Sequence, residues 1–370
     1  MNKKQQWIVW LGIVLLIAVA ASTFYWSTNQ ETSKEDVEMN RDIEREFDDS
    51  LDNQVISRNL STPWSIVFYN ETPLISSRDT GQIYEIAEDG TSRVVGTIAD
   101  AVHRGEGGLL GLAIYHSNLY AYYTTNEDNR VSRYSLSENQ GSLAISHQET
   151  IIDGLPSASY HNGGRIAFGP DEMLYVTVGD AGDTNRAQDL SAYHGKILRM
   201  TPDGDVPEDN PFENSLIYSY GHRNPQGLTW DEEGVMYSSE FGQNQWDELN
   251  VIKAGANYGW PIVEGMEEND TFELPVQQWQ VSEASPSGMT YADGRLFLAN
   301  LRGTVLRVVS TDDLATSHTY FNEIYGRIRD VAIAPDGKLW FITNNTDGRG
   351  TPSSDDDRII SVPLDQLDFE

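Results

Sequence analysis

The chain contains no cysteine. That removes disulfides, thiolate catalysis and cysteine-ligated zinc from consideration. Basic residues are also scarce, 25 Lys and Arg against 57 Asp and Glu, for a formal net charge of -32. Nucleic-acid binding is argued against, because phosphates must be neutralised by Lys and Arg. The acidity fits a soluble envelope or extracellular surface, or an affinity for divalent cations, and a global surplus does not locate a site. Helical periodicity is nearly absent after residue 50, whereas 31 Gly, 18 Tyr and 9 Trp are spread through the 370 residues. This points to an all-β protein, a class in which one domain can exceed about 250 residues.

Only one long hydrophobic run is present, from Trp7 to Trp26, uncharged and with aromatic residues at both ends. About 20 residues at the helical rise span a bilayer, and aromatic belts mark its interfaces. Lys3 and Lys4 precede the run and Glu31, Glu35 and Asp36 follow it, which places the amino terminus inside and the rest outside. The small residues Ala18 to Ser22 also fit a cleaved signal peptide. A retained anchor is favoured, because the run is long for a signal segment and aromatic residues continue past the cleavage position. Either way the remainder is exported to the cell envelope, on its extracytoplasmic side. The sequence thus divides into a signal-anchor or signal peptide (1–26), an acidic linker (27–54) and a β-domain (55–370).

Within that domain one pattern recurs: a short apolar strand, a turn, a second apolar strand and a polar or Gly/Asn end. The copies begin at Ile66, Leu112, Ile166, Leu228, Met289 and Val331, and a third alternating strand follows, as in KILRMTPDG, ELNVIKAG and RIISVPLD. A sheet of about four strands every 40 to 60 residues is the signature of a propeller blade. Six copies predict a six-bladed β-propeller of four-stranded antiparallel blades. The chain ends soon after the third strand of the sixth copy, so QVISRNL (54–60) is expected to supply that blade's outer strand and close the ring.

Residues just before a first strand or just after a second strand should gather at one mouth of the central channel. Before first strands lie Glu106 in GEGGLLG, His161 and Arg165 in HNGGR, Arg223 and Asn224 in GHRNPQG, and Arg327 and Arg329 in RIRD. After second strands lie Asp180 in VGD, Gly242 and Gln243 in EFGQ, and Arg302 in NLRG. A lone His or Arg in a loop is more often surface than site, but the set is concentrated. Arginines at a mouth on so acidic a chain point to a small polyanionic ligand bearing carboxylates or phosphates. GEGGLLG precedes a strand and not a helix, so it is no phosphate-binding P-loop. His161 and Asp180 bracket one hairpin; from spacing alone, Asp180 either orients the imidazole of a general base or caps its own turn.

The motifs GGLLG, HNGGR with FGPD and LYVTVGD, GKILRMTPDGDVPEDNPF, YGHRNPQGL, DELNVIKAGANYGWP and RIRDVAIAPDGKLW resemble the soluble quinoprotein glucose dehydrogenases and their aldose sugar dehydrogenase relatives, of the glucose/sorbosone dehydrogenase type. The resemblance covers roughly residues 55 to 365 and implies a six-bladed propeller. It also implies pyrroloquinoline quinone (PQQ) and calcium as cofactors, an aldose as substrate, oxidised at its anomeric hydroxyl to a lactone, and an external electron acceptor. His161 would be the general base while hydride passes to C5 of PQQ, with Asp180 orienting it. Arg223 and Asn224 would contact the quinone, and Arg302, Arg327 and Arg329 its carboxylates, Arg302 standing where a lysine is usual. The carbonyls of Gly242 and Gln243 would hold one calcium, and Glu248 with the backbone of Tyr258 a second, structural one. Glu106 stands where a cofactor-contacting glutamine is found, and a carboxylate there would repel PQQ unless protonated or metal-bound. Two other readings keep the fold: a non-catalytic propeller binding carbohydrate or a protein, and a calcium-dependent lactonase-type hydrolase.

Overall fold

The computed structural model describes residues 51–267 and 270–368. The expected anchor or signal segment and most of the acidic linker lie outside these residues. Among the described residues no helix is long and apolar enough to cross a membrane.

Six four-stranded antiparallel sheets follow one another along the chain. Blade 1 occupies residues 63–97, blade 2 109–155, blade 3 166–220, blade 4 225–280 and blade 5 286–320. Blade 6 takes Ile328–Ile333, Leu339–Thr343 and Ile359–Val362, and its fourth strand is Gln54–Ser57. That strand runs antiparallel to Ile359–Val362, pairing Gln54 with Ser361 and Val55 with Ile360 before a bulge at Ser57. The ring is therefore closed by the segment that the repeat pattern singles out. Within each sheet the strands pair in order of sequence, except for this borrowed one, and the first strands of neighbouring blades pack on each other around the axis.

The alternation of Val, Ile, Leu and Tyr gives each sheet two apolar faces, and each face is buried against the next blade. Leu74 and Ile83 of blade 1 meet Leu109, Leu119 and Tyr123 of blade 2. Tyr122 and Val131 meet Val176 and Leu198 across blades 2 and 3. Phe297 and Val308 of blade 5 meet Phe341 and Ile360 of blade 6, while Ile66 and Ile75 of blade 1 meet Ile342 and Ile359. At roughly 1.5–3 kcal/mol per buried large aliphatic or aromatic side chain, these interfaces hold the ring together.

Polar residues fill part of the channel. Arg165, expected at the mouth, is instead buried within it: its Nη1 donates to Asp330 Oδ2 at 2.8 Å and its Nε to the Gln226 carbonyl at 2.8 Å, and its guanidinium lies 4.4 Å from the Trp64 ring centroid. Asp330 also accepts the Ile66 N–H at 3.0 Å. Arg165 thus joins blades 1, 4 and 6 across the axis. Position before a first strand does not separate a residue that faces the mouth from one that turns inward, and Arg165 turns inward because a carboxylate awaits it there.

Candidate active site at the channel mouth

HNGGR enters the first strand of blade 3 (Ile166–Phe168) and VGD leaves the second (Leu174–Val178), so the two segments run side by side. Gly164 N–H donates to the Thr177 carbonyl at 3.0 Å and Ala181 N–H to the His161 carbonyl at 3.1 Å. A Cβ on Gly163 would lie 2.5 Å from the Thr177 oxygen, and one on Gly179 would lie 2.0 Å from the His161 oxygen. Only glycine permits such an approach. His161 has φ 56°, a left-handed conformation that costs a side-chain-bearing residue about 1 kcal/mol or more. Its N–H is held there by Glu106 Oε2 at 3.1 Å.

His161 Nδ1 and Asp180 Oδ1 are 2.7 Å apart. Asp180 is fully buried; its Oδ1 also accepts Gly182 N–H at 2.8 Å and its Oδ2 accepts the Trp260 indole N–H at 2.9 Å. Burial alone would push this carboxyl up, but the bonds from His161, Gly182 and Trp260 outweigh it and hold Asp180 below the ordinary carboxylate range. The contacts of both readings left open by spacing are present: one oxygen both caps the local turn and meets the imidazole. A carboxylate at Nδ1 fixes the proton there and leaves Nε2 as the acceptor of the ring. The imidazole keeps 17% of its side-chain surface exposed, whereas Asp180 behind it is fully covered. Tyr160, 46% exposed, stands edge-on to the ring at 4.7 Å between centroids.

Arg223 and Asn224 come from the next blade. Asn224 Oδ1 accepts Gly163 N–H at 2.9 Å, tying the His161 loop to blade 4. Arg223 Nη1 donates to the Phe241 carbonyl at 3.0 Å, and its guanidinium lies 5.6 Å from the Trp260 ring centroid. Arg223 Nε and Asn224 Nδ2 are both buried without a hydrogen-bond partner. Beneath them His222 pairs with Glu240 at 2.9 Å and with Ser219 Oγ at 2.8 Å, and Glu240 takes the backbone N–H of Arg223. This second His–carboxylate pair is fully enclosed, with no face left for a substrate, and serves to position Arg223 and Asn224.

Arg327 and Arg329 are buried. Arg327 Nη2 donates to Asp347 Oδ2 at 2.9 Å. Arg329 Nη1 donates to Gln226 Oε1 at 3.0 Å and its Nη2 to Asn344 Oδ1 at 3.2 Å, while its Nε has no partner. Burial pushes Arg329 down to about 9, opposed by the Asp347 charge. Arg302 is exposed and lines a cavity of about 400 Å³ together with Arg327, Asn345 and Arg349. Glu106 links the two halves of the mouth: while Oε2 holds His161, Oε1 pairs with Arg349 Nη2 at 2.8 Å. Burial would push Glu106 up, but Arg349 and the His161 N–H bring it below the usual range. Besides protonation or a metal, the structure thus offers a third way to balance the Glu106 charge, a paired guanidinium.

Of the expected metal residues, Gly242, Glu248 and Tyr258 line one small cavity with Glu240, Trp260 and Glu264, and Gln243 is the next residue of the chain. The loop there is tight: a Cβ on Gly242 would lie 1.6 Å from the Trp246 carbonyl oxygen. Gly242 N–H donates to Asp247 at 2.9 Å and Gln243 N–H to Glu264 at 2.6 Å. Burial, reinforced by the Glu240 charge, pushes Glu248 up to about 8, and burial pushes Asp247 up to about 6. Among the described residues no three His, Asp or Glu side chains form a metal-ligand group. A cation here would need backbone carbonyls as ligands.

Sequence reasoning assigned no role to Trp260, Glu240, Glu264, Asp347 or Arg349. Trp260 lies in NYGWP, but its bond to Asp180 spans 80 positions of the chain and no local pattern announces it. Asp347 and Arg349 follow the second strand of blade 6 as Asp180 follows that of blade 3, so the positional rule could have found them.

The fold and site define a class: a closed six-bladed propeller with a hydrogen-bonded His–Asp pair and a cluster of arginines at one channel mouth. The sequence matches the Glucose / Sorbosone dehydrogenase family over residues 60–352, and the chain belongs to that family. A solved structure of the PQQ-bound aldose sugar dehydrogenase of Streptomyces coelicolor superimposes with a TM-score of 0.81 at 44% identity, covering 84% of this chain and 96% of that one. Quinoprotein glucose dehydrogenase B of Acinetobacter calcoaceticus is 32% identical over 265 residues, 60% of this chain and 55% of that relative, little more than half its length. The aldose sugar dehydrogenase of Escherichia coli is 27% identical over 336 residues, 80% of this chain and 90% of the relative.

Proposed function

We propose that the protein is an exported, PQQ- and calcium-dependent dehydrogenase that oxidises the anomeric hydroxyl of an aldose to the lactone and passes the electrons to an external acceptor. The observation that carries this reading is the His161–Asp180 pair, 2.7 Å apart, beside two buried donors without partners, Arg223 Nε and Asn224 Nδ2. An acceptor-rich, anionic quinone fits such donors and the arginines beyond them. His161 Nε2 takes the hydroxyl proton, and Asp180 holds the imidazole in the tautomer that can do so and stabilises the cation that results. Tyr160 offers an exposed aromatic face beside the base for the sugar ring. When bound, PQQ supplies the two-electron acceptor for the hydride that leaves the anomeric carbon.

Arg223 and Asn224 would hold the quinone, and Arg302, Arg327 and Arg329 the carboxylates. Calcium would be held by the carbonyls of Gly242 and Gln243, and by Glu248 and Tyr258; oxygen ligands and crowded buried carboxylates suit it, and as a Lewis acid it would polarise the quinone. The uncharged run Trp7–Trp26 supports export and membrane association. Amino-terminal sequencing of the native protein tests retention: a start near Ser22 would show cleavage.

Product analysis separates this reading from a lactonase. A dehydrogenase converts aldose to lactone with one two-electron equivalent of dye reduced per turnover. Hydrolysis of added lactone with no redox change, and no dye reduced by aldoses, would contradict the proposal.

A further inference from the structure

Glu106 faces the seat assigned to an anionic cofactor, and both of its carboxylate oxygens are engaged. Its Oε2 accepts the His161 N–H at 3.1 Å, which places a carboxylate against the backbone of the candidate base. Its Oε1 meets Arg349 Nη2 at 2.8 Å. Arg349 comes from the loop after the second strand of blade 6, which lies two places round the ring from blade 2. That loop is itself built around charge: Arg349 N–H donates to Asp347 Oδ1 at 2.9 Å while Asp347 Oδ2 takes Arg327 Nη2 at 2.9 Å. One short segment therefore delivers a carboxylate to the buried arginines and a guanidinium to the carboxylate that holds the His161 N–H.

We propose that Arg349 is a cofactor-affinity residue, the counter-ion that lets this mouth carry Glu106 beside PQQ, so that the two side chains meet the cofactor as a neutral pair. The inference rests on the reading of the mouth as a PQQ site. Glu106 accepts the N–H of the left-handed His161, and its charge must be balanced if the remaining arginines are to attract a polycarboxylate. A uniform surface salt bridge would contribute little. A unit charge about 7 Å from an ion, at an effective dielectric constant near 20, shifts affinity by roughly tenfold to fiftyfold.

The test is PQQ binding to the calcium-loaded apoprotein by titration calorimetry, with Arg349→Gln, Glu106→Gln and the double variant. Arg349→Gln is expected to weaken Kd roughly tenfold or more, Glu106→Gln to tighten it, and the double variant to return within about threefold of the wild type; raised salt should shrink the first two effects. Arg349→Gln within threefold of the wild type, or a double variant as weak as Arg349→Gln, overturns the inference. A wild-type protein that takes up no PQQ contradicts the functional reading instead. The pairing is then decided on the apoprotein, where the Glu106 carboxyl followed by ¹³C NMR should titrate higher in Arg349→Gln; an unmoved titration rejects it.

Discussion

Besides His161 itself, the Gly182 and Trp260 N–H groups fix the carboxylate behind the imidazole, as the proposed base requires. Truncating it as His161→Ala should lower kcat by about 100- to 10,000-fold while leaving the Kd for PQQ nearly unchanged, which stopped-flow turnover and calorimetry read separately. Asp180 makes a pH prediction with a definite sign. Its folded pKa lies below its unfolded value near 3.9, so it contributes stability above that value and loses it as pH falls through the folded one. Urea unfolding between pH 5 and 3 should therefore show a steeper loss for the wild type than for Asp180→Asn; equal slopes would mean that the dyad is not held as described. At this scale the sequence was informative where a motif is contiguous. HNGGR and VGD are close in the chain, so His161 and Asp180 could be paired from spacing. The Trp260 indole reaches Asp180 from another blade, and Arg349 reaches Glu106 from blade 6, so neither contact leaves a mark in any short window. For Glu106 the charge could be read from the sequence and its Arg349 partner could not.

At the scale of strands and loops, the first three strands of each blade were legible because they are apolar on alternating or continuous positions. The fourth strands were not, the borrowed one apart. Ser142–Leu155 is exposed along most of its length, so its sequence carries no burial pattern to read. The loop after the second strand of blade 4 is where the cation question is decided. Gly242 admits no Cβ, and the neighbouring Glu248 is pushed up to about 8 by burial and a second carboxylate. Occupancy by calcium would relieve that crowding, so added calcium should raise Tm and a chelator should lower it. Gly242→Ala should abolish the calcium-dependent part of the shift. A Tm indifferent to calcium in the wild type would remove this loop from the metal account.

For the whole molecule, closure is the feature on which the mouth depends, because its residues come from blades 2, 3, 4, 5 and 6 and each must keep its place in the ring. The joint is Gln54–Ser57 on Ile359–Val362, with Leu51 buried in the blade 5–6 cluster nearby. Deleting 54–60 uncovers Ile360 and strips an edge strand of its partner. If that costs about 5 kcal/mol, Tm should fall on the order of 10 °C; an unchanged melting curve would refute this closure. Repeat counting sufficed to read the ring and its joint, because six equivalent copies average out local irregularity. It could not tell that Arg165 lies inside the channel, since inward and outward positions share one sequence context.

The central claim is that this mouth oxidises sugars through a bound quinone. Its most direct measurement is reconstitution of the apoprotein with PQQ and calcium, followed by dye reduction across a broad panel of aldoses. The account predicts aldose-dependent reduction that requires PQQ and is lost in His161→Ala; a PQQ-loaded protein that oxidises none of the panel would contradict it.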